Sequence, residues 1–324
     1  MKVLVTSSGS LLGQGIIRSL QNCTVCTPSI IACDPDPRSP GLYWNKGSRL
    51  FPFAKDPFFI EKFSDLLNEE RPDAVCVGTD SELSLLAARQ SELETTYKTK
   101  IIVSSPEVVR IADDKYLTYK FMRDNGFDAP DSRLPGQEQE LVEKYGFPLI
   151  VKPRNGARSV GLHKVENQEE LISAMLSVKD PVIQECVATG DDEYTAGSLY
   201  FDGECRATIV MRRDLRDGNT FRAYVDKYPE LNEQVRAMCN ALKPFGPANF
   251  QFRLPKDGKV RVFEINSRFS GTTPLRMHAN FNELDMVLGH LFFNRPVAQP
   301  DIPKLTIMRH WTETVITDGE IITR

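Results

Sequence analysis

The chain has 324 residues, 41% hydrophobic and 26% charged, which is enough for about two domains with full cores. A formal net charge of -4 gives no electrostatic reason to expect a nucleic-acid partner, and no apolar run reaches the ~18 residues that a membrane span needs. Met1 to Thr6 runs straight into a strand, without the charged start, apolar core and cleavage site of a secretory signal, so the expected compartment is the cytoplasm.

The first hundred residues alternate strand and helix. Strands are expected at Met1 to Thr6, Ser29 to Cys33, Ala74 to Gly78 and Ile101 to Ser104, with helices starting at Gln14, Phe58 and Glu82 between them. Continuous apolar strands separated by amphipathic helices imply a parallel sheet covered on both faces, a Rossmann-like module. The loop from Ser7 to Gly15 spaces its glycines as G-x-x-x-G-x-G, which is not the dinucleotide fingerprint G-x-G-x-x-G, although Asp34 does follow the second strand. A small polar substrate could still sit beyond the strand ends, where Ser7, Ser8, Asp34, Asp80 and Glu82 would project. The seven cysteines lie mostly in apolar runs and read as small buried side chains; Cys23 and Cys26 form a CxxC pair with no second pair or nearby histidine to complete a zinc site. His163, His278, His290 and His310 show no metal-ligand spacing.

A second unit begins near Ser105. Pro106 opens a helix, Asp113-Asp114-Lys115-Tyr116 begins another that runs through Met122, and Asn125-Gly126 caps it. Phe147 to Pro153 is a buried strand presenting Lys152 near its end, a glycine loop spans Asn155 to Gly161, and Leu162 to Val165 returns as a strand. This layout offers a point charge and backbone N–H groups to phosphates, but G-x-x-x-x-G-K-[ST] is absent. Taken singly, Lys152 is more often an ordinary strand-end lysine and the loop an ordinary hairpin. Farther on, Arg212 to Arg222 is a polar excursion after the strand Ala207 to Met211, where Arg213 or Arg222 could clamp a carboxylate or simply face water in a charged hairpin.

Asn249 to Leu254 and Arg261 to Arg268 read as paired strands joined through Pro255-Lys256-Asp257-Gly258-Lys259. Period-two spacing puts Glu264, Asn266 and Arg268 on one face, and pairing sets Gln251 near Glu264. Hard oxygen donors with at most one formal charge suit magnesium; a polar-faced hairpin with a surface salt bridge would share the pattern. Ser270 to Pro274 either lines the same cavity or starts the next helix.

The order of these elements, Asp114-Lys115, Lys152 with its glycine loop, Val182 to Val187, Glu193, Gln251 and Glu264-Ile265-Asn266-Ser267-Arg268, resembles the ATP-grasp family from about Pro106 to Gly271. The branch it is most similar to is that of carbamoyl phosphate synthases and biotin carboxylases. The fold this implies is α/β and α+β: a Rossmann-like pre-ATP-grasp domain over 1–105, a small lobe over 106–180 and a large lobe over 181–324. The resemblance implies ATP as substrate with Mg2+, or Mn2+ in its place. By it, Lys115 and Lys152 contact phosphates, the loop from Gly156 through Ser159 to Gly161 covers the triphosphate, Glu185, Cys186, Val187 and Ala188 form the adenine hinge, and Glu193 holds the ribose. Gln251, Glu264 and Asn266 are the implied metal ligands, with Arg268 neutralising charge on the phosphoryl group in transfer and Arg213 as a second catalytic arginine.

Two departures stand out: Ser267 replaces the proline usual after the asparagine, and the chain has room for one such unit where a complete carbamoyl phosphate synthase large subunit carries two plus further domains. The activity implied is a carboxylate–amine ligase working through an acyl phosphate on small-molecule acids and amines. A bicarbonate-using carbamoyl-phosphate or carboxylase-type enzyme and a non-catalytic ATP-binding regulatory module remain as alternatives, and an isologous homodimer is the default assembly.

Overall fold

The N-terminal strands β1 (Lys2–Val5), β2 (Ser29–Asp34), β3 (Gly47–Leu50), β4 (Ala74–Cys76) and β5 (Lys100–Ile102) form an all-parallel sheet in the order β3-β2-β1-β4-β5. The computed structural model describes residues 1–156, 160–187, 193–317 and 320–322. Strand β3 has no counterpart in the sequence reading, because its Gly-Ser-Arg-Leu pattern is only half-buried at the sheet edge and carries no apolar run. The first helix, Leu11–Gln21, starts three residues earlier than expected; Ser10 caps it by accepting from the Gly13 amide.

A second sheet is antiparallel, with β6 (Ser132–Arg133), β7 (Leu149–Pro153), β8 (His163–Val165) and β9 (Pro181–Glu185) in the order β6-β9-β7-β8. It closes its own core of Leu141, Leu149, Val151, Val165, Leu171 and Ile183 under the helices Glu138–Tyr145 and Gln168–Ser177. The third sheet, also antiparallel, orders its strands β14-β13-β10-β11-β12-β15. These are β10 (Glu193–Phe201), β11 (Glu204–Arg216), β12 (Asn219–Val225), β13 (Gly246–Arg253), β14 (Arg261–Asn266) and β15 (Leu305–Met308).

One continuous core joins a face of the parallel sheet to a face of the third sheet: Val3, Val5, Ile30 and Cys76 pack into the same cluster as Leu199, Ile209, Met211 and Val225, with Ile16 and Leu284 from flanking helices. The N-terminal strands are therefore fastened by burial to the sheet that carries Glu264.

The excursion expected at Arg212 to Arg222 is a hairpin. Strand β11 continues to Arg216, and Asp217 (φ 51°) and Gly218 (φ 71°) make a two-residue turn into β12. Two left-handed residues match the right-handed twist of the strands, which is why Asp-Gly serves there. Alternation then decides between the two arginines proposed from sequence. Arg213 turns inward among Glu193, Gln251 and Thr220, whereas Arg222 is exposed opposite Asp214 on the other face and contributes only to surface charge.

Candidate functional site

Strands β10, β11, β13 and β14, neighbours in the six-stranded sheet, carry a row of polar side chains whose hydrogen bonds run through it without a break. Strand β13 pairs with β14 so that Gln251 lies opposite Glu264 and Asn249 opposite Asn266. Gln251 Nε2 donates to Glu264 Oε1 at 2.8 Å, and Asn266 Nδ2 donates to the same oxygen at 3.0 Å. Arg213 donates to the Gln251 amide oxygen and, at 2.7 Å, to Glu193, which also accepts from Arg253 at 2.5 Å. At the other end Arg268 donates to Asn266 Oδ1 at 2.8 Å and grips Asp80 with two bonds of 2.6 and 2.7 Å. One carboxylate and two side-chain amides thus meet on one patch, with the amide nitrogens toward Glu264 and the amide oxygens toward Arg213 and Arg268; with both amides turned over, the three oxygens form a donor set that a hard divalent cation takes with water completing its shell. Among the described residues no group of three His, Cys, Asp or Glu side chains could hold a metal, so a cation here depends on the amide oxygens.

The charges are arranged in opposed pairs. Burial raises the Asp80 carboxyl, but the adjacent Arg268 guanidinium outweighs it and leaves Asp80 below its ordinary range. Lys152, buried near the end of β7, is different. Desolvation, reinforced by the nearby Lys115 charge, pulls its ammonium from 10.5 down to about 7. Its Nζ stands 5.6 Å from the Phe263 ring, and among the described residues it has no hydrogen-bond or ion-pair partner. Lys115, first residue of the helix Lys115–Asp124, instead donates to the Gly156 carbonyl at 2.7 Å and ties that helix to the start of the glycine loop. Asp114 caps the helix while also gripping Arg154.

Three cavities meet at Glu264. The first, about 370 Å³, is lined by Lys115, Lys152, Gly156, Glu185, Cys186, Val187 and Glu193, with Ile150, Val160, Leu162 and Phe263 as apolar walls. The second, about 140 Å³, lies between Thr79-Asp80 of the N-terminal unit and Arg213, Asn266, Arg268, Ser270 and Thr272. The third, about 390 Å³, runs behind Asn266 toward Ser84 and Asp113. The sequence-derived residues Lys115, Lys152, Gly156, Glu185, Cys186, Val187, Glu193, Arg213, Gln251 and Glu264 therefore share one cavity, and Asn266 and Arg268 border the next. Ser159 and Ala188 lie outside the described residues, and Gly161, at φ 72°, packs near Pro153 beside the first cavity.

Other expectations fared differently. Asp34 does not project into open space; it accepts from the Gly9 amide at 2.7 Å and from Ser39 at 2.6 Å, fastening its own loop. Glu82 is buried against Thr6 and Ser7, and desolvation lifts its carboxyl from 4.5 to about 7 despite those hydrogen bonds. The partnership of Arg268 with Asp80, and the presence of Arg309 in the second cavity, had no signal in the sequence reading.

Residues 186–314 match the family model described as ATP-grasp in the biosynthetic pathway with Ter operon. Over those residues the chain is similar to an ATP-grasp domain. Its sequence is 26% identical over 307 residues to the carbamoyl phosphate synthase large chain of Thermoanaerobacter pseudethanolicus, a match covering 86% of this chain and 28% of that protein. The chain thus spans little more than a quarter of that relative. Among solved ATP-grasp structures, N5-carboxyaminoimidazole synthetase from Staphylococcus aureus complexed with ADP superposes with a TM-score of 0.71 at 16% identity, covering 95% of this chain and 79% of that one. The L-amino acid ligase from Bacillus licheniformis gives 0.69 at 17% identity, covering 89% and 73%. The parallel sheet followed by antiparallel sheets is the architecture of these ATP-grasp neighbours.

Proposed function

We propose that this chain is an ATP-dependent ligase that activates a carboxylate as an acyl phosphate for attack by an amine or ammonia. The observation that carries the reading is the position of Glu264, which borders both the cavity holding Lys152 and Lys115 and the smaller cavity holding Arg268. A nucleotide in the first cavity would point its phosphates at an acid in the second, and in-line transfer needs that adjacency. The reading also divides the chain into a Rossmann-like pre-ATP-grasp unit over 1–105, a small lobe over 106–180 and a large lobe over 181–324, working as a cytoplasmic homodimer.

Lys152 and Lys115 would face the phosphates, with the Gly156 to Gly161 loop, Ser159 included, over them. Backbone groups of Glu185 to Ala188 would read adenine; the Glu185 side chain accepts from the Asp131 amide at 3.1 Å, which fixes the hinge backbone. Glu193 would hold the ribose with the lone pairs that Arg213 and Arg253 leave free. The oxygens of Gln251, Glu264 and Asn266 fit magnesium by chemistry, provided the two amides turn their oxygens toward Glu264. Magnesium supplies charge neutralisation to the phosphate oxygens when bound. The acid oxygen bonds to the γ-phosphorus as the bond to the bridging oxygen breaks and ADP leaves; Arg268 and Arg213 hold the acid and the phosphoryl oxygens in line. The amine nitrogen then attacks the acyl carbon, phosphate departs and the nitrogen loses a proton.

The similarity to a carbamoyl phosphate synthase favours bicarbonate as a second reading. The second cavity argues for a larger acid, since about 140 Å³ holds roughly five water volumes of ~30 Å³ each, more than bicarbonate fills. The test is ADP and phosphate release from MgATP across carboxylic acids with and without amines, bicarbonate included. Release that needs both an acid and an amine is expected. Release with bicarbonate alone would move the assignment to the second reading, and tight ATP binding without release under any condition would make the chain a regulatory module.

A further inference from the structure

The second cavity contains three arginines, and only two of them have their charge matched. Arg213 pairs with Glu193 and Arg268 with Asp80. Arg309, directly after β15, has no carboxylate partner among the described residues. Its Nη1 donates to the Thr220 carbonyl at 3.2 Å and its Nη2 to the Gly271 carbonyl, bonds that orient the fork without neutralising it. Three of the five guanidinium hydrogens, including that on Nε, remain for a ligand. Partial burial, with the Arg18 charge nearby, pulls this guanidinium from 12.5 down to about 10, the response of a half-buried cation without a counter-ion.

Desolvating a charge without a partner is costly, and such a group is retained where a ligand completes the pair. The anchoring carbonyls lie on the Gly271 turn and on Thr220 of β12, so Arg309 borders the cavity from the side of β12 while Arg268 borders it from the side of Glu264. Thr272 and Asn249 supply neutral donors and acceptors between them.

We propose that the second cavity takes a short dicarboxylate, with one carboxylate at Arg268 for phosphorylation and the other anchored by Arg309, which sets specificity for a second anionic group. This rests on the ligase reading and names its acid. A monocarboxylate of the same length would leave the half-buried Arg309 unmatched, which is selection against it.

The test pairs direct binding with turnover. Succinate, glutarate and adipate, with butyrate and valerate as single-acid controls, are titrated calorimetrically into the nucleotide-free protein, and MgATP-dependent ADP release is then measured for each with amine present. The wild type is expected to prefer a diacid by at least about tenfold in kcat/KM, and Arg309→Gln to bring the ratio within about twofold, the loss of one charge-assisted contact. Arg309→Lys, which keeps the charge and loses the fork, is expected to fall between them. Diacid binding that disappears in Arg309→Gln while no acid elicits ADP would uphold the pocket and remove the ligase reading. Acid-dependent ADP release with diacids and monoacids equal in the wild type would overturn the inference and leave the ligase reading standing. Absence of both diacid binding and acid-dependent release overturns both.

Discussion

Replacing Lys152 with methionine should stabilise the ligand-free protein while weakening nucleotide binding, and the structure gives the size of the effect. An ammonium whose titration moves from 10.5 in the unfolded chain to about 7 in the folded one disfavours folding, at about 1.36 kcal/mol per pH unit, by about 4–5 kcal/mol when fully charged in both states. The sign follows from proton binding: between pH 7 and 10.5 the unfolded chain holds the extra proton, so raising the pH stabilises the wild type and removes the penalty. Linkage gives about 4 kcal/mol at pH 7 and about 2 kcal/mol at pH 9, upper bounds because a charged lysine can draw in water. Methionine keeps the length of the stem against Phe263 and cannot charge. Urea unfolding of Lys152→Met and wild type at the two pH values measures the difference directly. A variant no more stable than wild type at pH 7, or an excess that fails to shrink by pH 9, would refute the reasoning. The same variant should bind ATP about ten- to a hundredfold more weakly, because phosphate restores the charge and the lysine then contributes a charge-assisted hydrogen bond.

Glu193→Gln strips the buried Arg213 of its carboxylate and should cost about 3–5 kcal/mol in denaturant unfolding; a cost below about 1 kcal/mol would mean that Gln251 and Thr220 suffice for Arg213. Glu82→Gln removes a carboxyl whose titration is lifted from 4.5 to about 7, a penalty absent below pH 4.5 and complete above 7, so the variant should gain up to about 3 kcal/mol at pH 8 and nothing at pH 4.5. Equal gains at both pH values would show that its effect is not ionisation. Asp80→Asn leaves the Arg268 guanidinium without its two-bond partner and should lower stability by about 2–3 kcal/mol, with an unchanged melting temperature the contrary result. Glu264→Gln should abolish magnesium-dependent turnover with the fold intact by circular dichroism; full activity would remove Glu264 from the metal site.

The hairpin carrying Gln251, Glu264, Asn266 and Arg268 was legible because period-two alternation is a local property, but the register that sets Gln251 against Glu264 needs, besides the short connection, a shift between Gln251 and Phe252 that the sequence did not signal. What joins that hairpin to the rest was not. Asp80 and Arg268 are 188 residues apart, and nothing in the Thr79-Asp80 turn distinguishes that carboxylate from a helix-starting aspartate, which it also is. Arg309 escaped notice for a related reason: β15 is a four-residue edge strand, too short for alternation to register, and its arginine matters only because β12 brings it beside Gly271. Glu193 illustrates the limit of reading a side chain singly. Its place at the start of β10 was visible in the sequence, but its grip on Arg213 depends on a hairpin whose turn residues mark where two strands reverse and not which side chains they carry inward.

The separate core of the small antiparallel sheet has a consequence for motion. Leu141, Leu149, Val151, Val165, Leu171 and Ile183 pack among themselves, whereas the parallel sheet and the six-stranded sheet share their interior. A unit with a private core can open without unfolding its neighbours, so amides of β7, β8 and β9 should exchange with solvent through a sub-global event of lower free energy than those of β1 or β10. Lys152, Gln184 and Glu185 belong to that unit and Glu193 and Glu264 do not, so any molecule filling the first cavity spans the two. Occupancy would raise the opening free energy of the small unit by the logarithm of ligand concentration over its dissociation constant and leave the shared core untouched. The three sheets would then behave as two bodies when empty and as one when filled.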